Sequence, residues 1–301
     1  MFSIQASIPG ESVRIDRFLA HHYPEYTRTF LKKLIELGKI ANNGVVITKA
    51  SALIEDGDII TIASFELPKR IVNTTNLPDY CKQYLVFEHE HFIIVEKPAG
   101  LITHQPEHAS DTISLADIIA SQRPEIASVG QEGRKGIVHR LDRNTSGLLI
   151  VARTEYGYTT FIELFKQHAI KKTYYAIVKG HPEATGSITA SIMRHPADPR
   201  KMLCTKGDGR QARTDYEVVH MFEEYSLIKA YPFTGRTHQI RVHMATEGHP
   251  IVGDPVYGTH SKLIKRQALH AHKLAFEFDG QSFEFTSAIP QDMQELLTIK
   301  E

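Results

Sequence analysis

At 301 residues, with 42% hydrophobic and 23% charged residues, the chain has the composition of a folded globular protein; disorder and fibrous repeats are excluded. That length leaves room for one large core with a small appended domain. Lys+Arg and Asp+Glu number 35 each, so the formal net charge is zero, and any nucleic-acid partner must be attracted by local patches. Two cysteines, Cys81 and Cys204, are too few for a disulfide scaffold or a cysteine-based zinc site. The opening MFSIQASIPGESVRID lacks a basic-then-apolar leader and no run approaches bilayer length, so the expectation is a cytoplasmic protein without membrane contact.

In chain order, VRIDRFLAHHY spaces Val13, Ile15, Phe18 and Leu19 along one helical face. YTRTFLKKLIELGKI reads as a second helix with Thr27 or Thr29 as N-cap and Gly38 as its stop. Asn43-Gly44 and Asp56-Gly57 then precede β-branched runs and mark hairpins or the starts of strands. The second helix carries Arg28, Lys32 and Lys33, with Lys39 just beyond, against one acid, Glu36; such a run by itself is a solvated face. The whole stretch from RIDRFL to EDGDIITI is, however, similar to the alpha-L RNA-binding module first known from a small-subunit ribosomal protein. That resemblance implies that Arg28, Lys32, Lys33 and Lys39 face RNA.

Residues 66–80 hold two prolines and little periodicity, which reads as a linker between a domain at 1–65 and another at 81–301. Beyond it FIIVEKPAG and GLLIVART have buried-strand patterns, and EYGYTTFIELFKQHAI has helical spacing with Phe161, Ile162, Leu164 and Phe165 available for a core. KKTYYAIVKG, RTDYEVVHMF and YSLIKAYPF follow as strands. Strands outnumber helices, so an α+β fold around a mixed, largely antiparallel sheet is expected.

Three stretches can carry chemistry. In HRLDRNTSG, Asp142 stands between Arg140 and Arg143; as a turn residue it needs no function, but neighbouring positive charge favours its ionised form, which suits a nucleophile or base. In FTGRTHQIRVHMATEGHPIVGDPVYG, Gly235 permits a tight turn before Arg236 and HQIRVHMATEG reads as a short helix, basic and amphipathic if it has no catalytic part. His238, His243 and His249 lie there too, yet without HExxH or cysteine partners they do not make a metal motif. In KKTYYAIVKG, alternation sends Tyr174 and Tyr175 to opposite faces, so at most one enters a given cleft.

Taken in order, EKPAGLITH, GIVHRLDRNTSGLLIVART, KKTYYAIVKG, GRTHQIRVHMATEGHPIVGDPVYG and RQALHAHKLAF resemble the RluA-type pseudouridine synthases, over nearly everything from Phe87 onward. The N-terminal module and segments such as RHPADPRKM narrow the resemblance to the RluD-like branch, which acts on large-subunit ribosomal RNA. It implies isomerisation of uridine without a cofactor, with Asp142 as the catalytic aspartate that abstracts a ribose proton or attacks the sugar or the base. It further implies that Arg236 pairs with Asp142, that Tyr174 stacks on the uracil, that Arg140 fills the space left in the RNA, and that Leu269 walls the pocket. The implied partner is ribosomal RNA or a pre-ribosomal particle, bound by a monomer. The same chemistry on transfer RNA, or RNA binding without catalysis, are the alternatives.

Overall fold

The computed structural model describes residues 2–8, 10, 12–23, 28–63, 84–105, 112–131, 133–258 and 261–298. The expected linker and Cys81 lie outside that set, as do the side chains of Arg28 and Lys33. The chain divides into two compact units, residues 1–71 and 72–301.

In the smaller unit, helices α1 (Ile15–His22) and α2 (Arg28–Glu36) pack against a sheet of β1 (Phe2–Gln5), β3 (Ile40–Asn42), β4 (Val45–Ile47) and β6 (Ile59–Ile62) in the order β1-β6-β3-β4. The short strands β2 (Val13–Arg14) and β5 (Leu53–Ile54) pair separately. Ile15, Phe18, Leu19, Leu31, Leu34 and Ile35 meet Ile40, Ile54 and Ile60 in one core. Gly38, at φ 67, ends α2: its N–H donates to Ile35 O and that of Lys39 to Leu34 O, which satisfies carbonyls the helix leaves open. Asn43 (φ 49) and Gly44 (φ 81) form the two-residue turn of the β3–β4 hairpin. Asp56-Gly57 instead leads from β5 to β6, which pair with different strands. Lys32 is exposed and 3.8 Å from Glu36, and Lys39 is exposed.

The larger unit is built on ten strands. They are β7 (Leu85–Glu88), β8 (Phe92–Lys97), β9 (Ser146–Ala152), β10 (Lys171–Lys179), β11 (Thr185–Arg194), β12 (Met202–Thr205), β13 (Arg210–Met221), β14 (Tyr225–Pro232), β15 (Leu269–Phe278) and β16 (Gln281–Thr286). Their order is β12-β11-β13-β14-β10-β15-β9-β8-β7, with β16 on β15. Every pairing is antiparallel except β15 with β9, so the sheet is mixed and largely antiparallel, as its pattern leads one to expect. Strand β9 is buried at all seven positions, which explains its continuous apolar run: both faces are covered. Helices α3 (Leu115–Gln122), α4 (Glu155–Lys166), α5 (Gln239–Thr246) and α6 (Gln291–Thr298) complete the unit.

Two readings of helices need correction. On α4 Phe161 is fully buried but Ile162 is 41% exposed, because the next residue lies about 100° round the helix and leaves the narrow buried face. Helix α5 is not an amphipathic surface helix: Gln239 through Met244 are all buried, its polar side chains included.

The parallel β9–β15 contact is where the chain closes most tightly. Ser146 faces His270 and Gly147 faces Ala271; a Cβ on Gly147, at φ 114, would stand 2.3 Å from Ala271 O. Neither backbone can withdraw without breaking its ladder. Gly147→Ala is therefore expected to cost more than about 2 kcal/mol in urea-induced unfolding. Gly133→Ala, at φ 75 with open space around it, is expected to cost about 1 kcal/mol.

Candidate active site

The loop carrying Asp142 is pinned from several sides before its acid meets anything. The Thr103 hydroxyl donates to Leu141 O at 2.8 Å and accepts from Leu141 N at 3.2 Å. Lys97, fully buried at the end of β8, donates to Pro98 O, Leu101 O and Arg143 O at 2.8–3.0 Å. Three acceptors match the three protons of an ammonium, although burial pulls the lysine pKa down to about 7 against the nearby Asp142 charge. From the far side Gln267 Nε2 donates to Thr145 Oγ1 at 3.2 Å. Within the loop, Thr145 N donates to Asp142 O at 3.0 Å, and the turn that Asn144-Thr145-Ser146-Gly147 promised is present.

The acid itself is held by Arg241, not Arg236. Arg241 Nη1 donates to Asp142 Oδ2 at 2.9 Å, while Nε and Nη2 of the same guanidinium grip Asp254 at 2.7 and 2.9 Å. Burial works against the arginine's charge, but Asp254 and Asp142 more than offset it and raise its pKa above the ordinary value. Asp254, fully buried, is lowered by the same contact and by Val256 N–H and Tyr257 N–H, against its own desolvation. Arg236 sits in the turn before α5, where its Nε donates to Gln211 O and its backbone N–H to Gln239 Oε1. The reason is geometric: Arg241 is in the first turn of the buried helix and aimed inward, whereas Arg236 precedes the helix. Arg140 and Arg143, beside Asp142 in sequence, are exposed, and Arg143 Nε donates to Gly100 O.

His238 is the other neighbour, with Nε2 3.9 Å from Asp142 Oδ2. Its Nδ1 is 2.9 Å from the Tyr257 hydroxyl, which already accepts from Met202 N at 2.7 Å. A hydroxyl has one proton and two lone pairs, so it can meet the neutral ring in either tautomer. Burial lowers the His238 pKa, with Asp142 opposing, which favours that neutral form. His243 instead bonds Thr214 Oγ1, and burial takes it down to about 4; His249 bonds Lys179 O. The three histidines thus have separate partners. Among the described residues no group of three or more His, Cys, Asp or Glu could hold a metal ion.

Asp142, Tyr174, Arg140, Arg236 and Leu269 all line one cleft of about 670 Å³, together with Arg134, Lys172, Arg210, His238 and Arg241. Asp142 is the sole carboxylate among the described lining residues. Tyr174 enters it while Tyr175 packs near His272, as strand alternation requires. Burial and the Asp142 charge push the Tyr174 hydroxyl pKa up, so it keeps its proton at neutral pH. Leu269 is buried in the cleft wall. Lys166 lines the cleft as well, whereas Lys135 and Arg153 do not: Lys135 pairs with buried Asp117 and Arg153 with Glu88 and Glu125. Arg241, Asp254, Tyr257 and Lys97 were not singled out by sequence reasoning. The IR spacing after GRTHQ, which puts an arginine one turn into a helix, was the available signal for the first.

The larger unit is therefore an α+β scaffold with one arginine-held acid in a cation-lined cleft. Residues 91–246 match the RNA pseudouridylate synthase family and residues 13–60 the S4 domain. The chain is 36% identical over 294 residues to a ribosomal large subunit pseudouridine synthase D of Zymomonas mobilis, covering 93% of this chain and 92% of that protein. It is 39% identical over 289 residues to an RNA pseudouridine synthase of Chloroflexus aurantiacus described as uncharacterized, covering 94% and 89%. Among solved structures, human RNA pseudouridylate synthase domain containing 1 superposes with a TM-score of 0.57 at 27% identity, over 70% of this chain and 86% of that one. The chain belongs to the RNA pseudouridylate synthase family: it is an RNA-modifying isomerase of RluA type with an N-terminal S4 domain.

The two arginines are separable by experiment. Arg241→Met leaves Asp254 buried without a counter-charge and is expected to cost about 3–5 kcal/mol in chemical denaturation. Arg236→Met loses one bond to a carbonyl and is expected to cost less than about 1 kcal/mol. Arg241→Lys, a point charge in place of a fork that spans two carboxylates, is expected to slow pseudouridine formation at least about tenfold more than Arg236→Lys.

Proposed function

We propose that this enzyme isomerises uridines of large-subunit ribosomal RNA, and that Asp142 is its catalytic nucleophile or base. The observation that carries the second part is the asymmetry of the carboxylate. Oδ2 is occupied by Arg241, while Oδ1 accepts no hydrogen bond among the described residues and is available to the substrate in the cleft. The reaction breaks the bond from C1′ to uracil N1 and forms one from C1′ to C5; the proton lost at C5 balances the one gained at N1, so no co-reactant is needed. A carboxylate at Oδ1 can take a ribose proton or attack the sugar or base.

Tyr174, neutral and half-buried, offers a flat ring against which a uracil can stack, and the buried Leu269 backs that pocket. Arg140 is exposed at the cleft, where a cation can fill the space the flipped nucleotide leaves in the RNA. Arg236 acts towards the RNA from the rim, since its charge is not spent on Asp142. Ribosomal RNA is favoured over transfer RNA by the S4 domain, with the exposed Lys32 and Lys39 among the cations it offers to RNA, and by relatives named for the large ribosomal subunit.

Asp142→Asn is expected to abolish pseudouridine formation, at least a thousandfold down, with RNA affinity changed less than about threefold. Turnover by that variant near the wild-type rate removes the assignment. Pseudouridine mapping of total RNA from cells with and without this chain is expected to show sites lost from large-subunit RNA; losses confined to transfer RNA overturn the substrate proposal. Removing residues 1–65 is expected to weaken ribosomal-RNA binding and flatten its salt dependence, measured by filter binding from 50 to 200 mM salt.

A further inference from the structure

Phe233 is a large apolar residue that the fold leaves 53% exposed at the mouth of a cationic cleft. It follows β14 directly, and its backbone is fixed: its N–H donates to Arg213 O at 2.9 Å, and the next residue's carbonyl accepts from Lys172 Nζ at 3.1 Å. The ring therefore projects from a held strand end, not from a loose loop. It is the shared wall between the Asp142 cleft and a second cavity of about 560 Å³ that Lys171, Lys172, Tyr231 and Lys273 help to line.

Two groups stand against a side chain that remains half exposed. The His168 ring lies 4.8 Å away between centroids, tilted by 33°, and the Arg213 guanidinium carbon is 5.8 Å from the ring centre. The acids of the second cavity are spoken for: Asp215 is paired with Arg213 at 2.8 Å and Glu284 with Lys273 at 2.7 Å. A half-exposed aromatic ring with a guanidinium over it and an imidazole beside it, among cations and next to the reacting site, matches an unpaired base with phosphates on either side. An apolar protein segment would have to desolvate those cations without compensation.

We propose that Phe233, with His168 and Arg213, is a stacking platform for an unpaired nucleobase of the substrate RNA, one adjacent to the uridine that enters the Asp142 cleft. The proposal rests on reading that cleft as the uridine site. Base stacking by an aromatic tolerates any base, so the platform sets affinity and the placement of the strand more than sequence choice.

Two measurements test it. The first is binding of a single-stranded RNA of twelve nucleotides, uridines with one central 2-aminopurine, to the full-length chain carrying Asp142→Asn. Adding Phe233→Ala or Phe233→Leu is expected to weaken binding about tenfold and to abolish the 2-aminopurine fluorescence change, while Phe233→Trp retains both. Leucine binding as well as phenylalanine, or an unchanged fluorescence response in the alanine variant, overturns the platform, since either shows that no ring is needed. The second is turnover on an unmodified large-subunit ribosomal RNA transcript, where the Phe233→Ala effect is expected on KM and not on kcat. An effect confined to kcat overturns the proposal. A wild-type chain that makes no pseudouridine in that transcript or in cellular ribosomal RNA defeats the reading of substrate instead, and the oligonucleotide measurement still decides Phe233.

Discussion

Everything in the cleft is arranged around one buried guanidinium. Arg241 spends Nε and Nη2 on Asp254 and Nη1 on Asp142, and its charge also lies 5.2 Å from the Tyr257 ring centre. A buried cation is tolerated only when its partners offset lost hydration, and here two carboxylates from different segments do so. Asp142 and Arg241 are 99 residues apart in sequence, so this contact also ties the HRLD loop to α5. The same arginine that satisfies the core thereby fixes the orientation of Asp142.

That contact depends on the sheet. The parallel crossing of β9 and β15 sets the C-terminal end of the HRLD loop beside RQALHA, which supplies Gln267 to the loop and Leu269 to the cleft. A buried chain of side chains reinforces it: Ser146 Oγ lies 3.0 Å from His270 Nδ1, His270 Nε2 3.0 Å from Ser287 Oγ, and Ser287 donates to Glu96. Burial takes His270 down to about 4, which keeps the ring neutral and able to join two hydroxyls. Rigid support of this kind lets a single hydrogen bond to Asp142 have directional consequence.

Electrostatics reconciles a neutral chain with a polyanionic substrate. Outside the cleft, Lys135, Arg153 and Lys273 are paired with acids. Within it, cations surround one carboxylate that is already partnered. Local potential, not net charge, is what a phosphate backbone meets.

Much of this was legible in the sequence wherever the signal is local. Periodicity located α1, α2 and α4 and the strands β8, β9, β10, β13 and β14, Gly38 and Asn43-Gly44 marked a helix end and a hairpin turn, and alternation admitted only one of Tyr174 and Tyr175 to the cleft. Order and spacing of the motifs were enough to place the chain in its family, because those motifs are contiguous. Which arginine holds Asp142 was not legible: Arg236 and Arg241 are five residues apart, and only the start of α5 after His238 decides which points inward. The burial of α5 and the exposure of Ile162 and Phe233 likewise follow from what packs across the sheet. Sequence determines what each segment can form and which groups it carries; the tertiary structure decides which of those groups meet, because their partners lie scores of residues away.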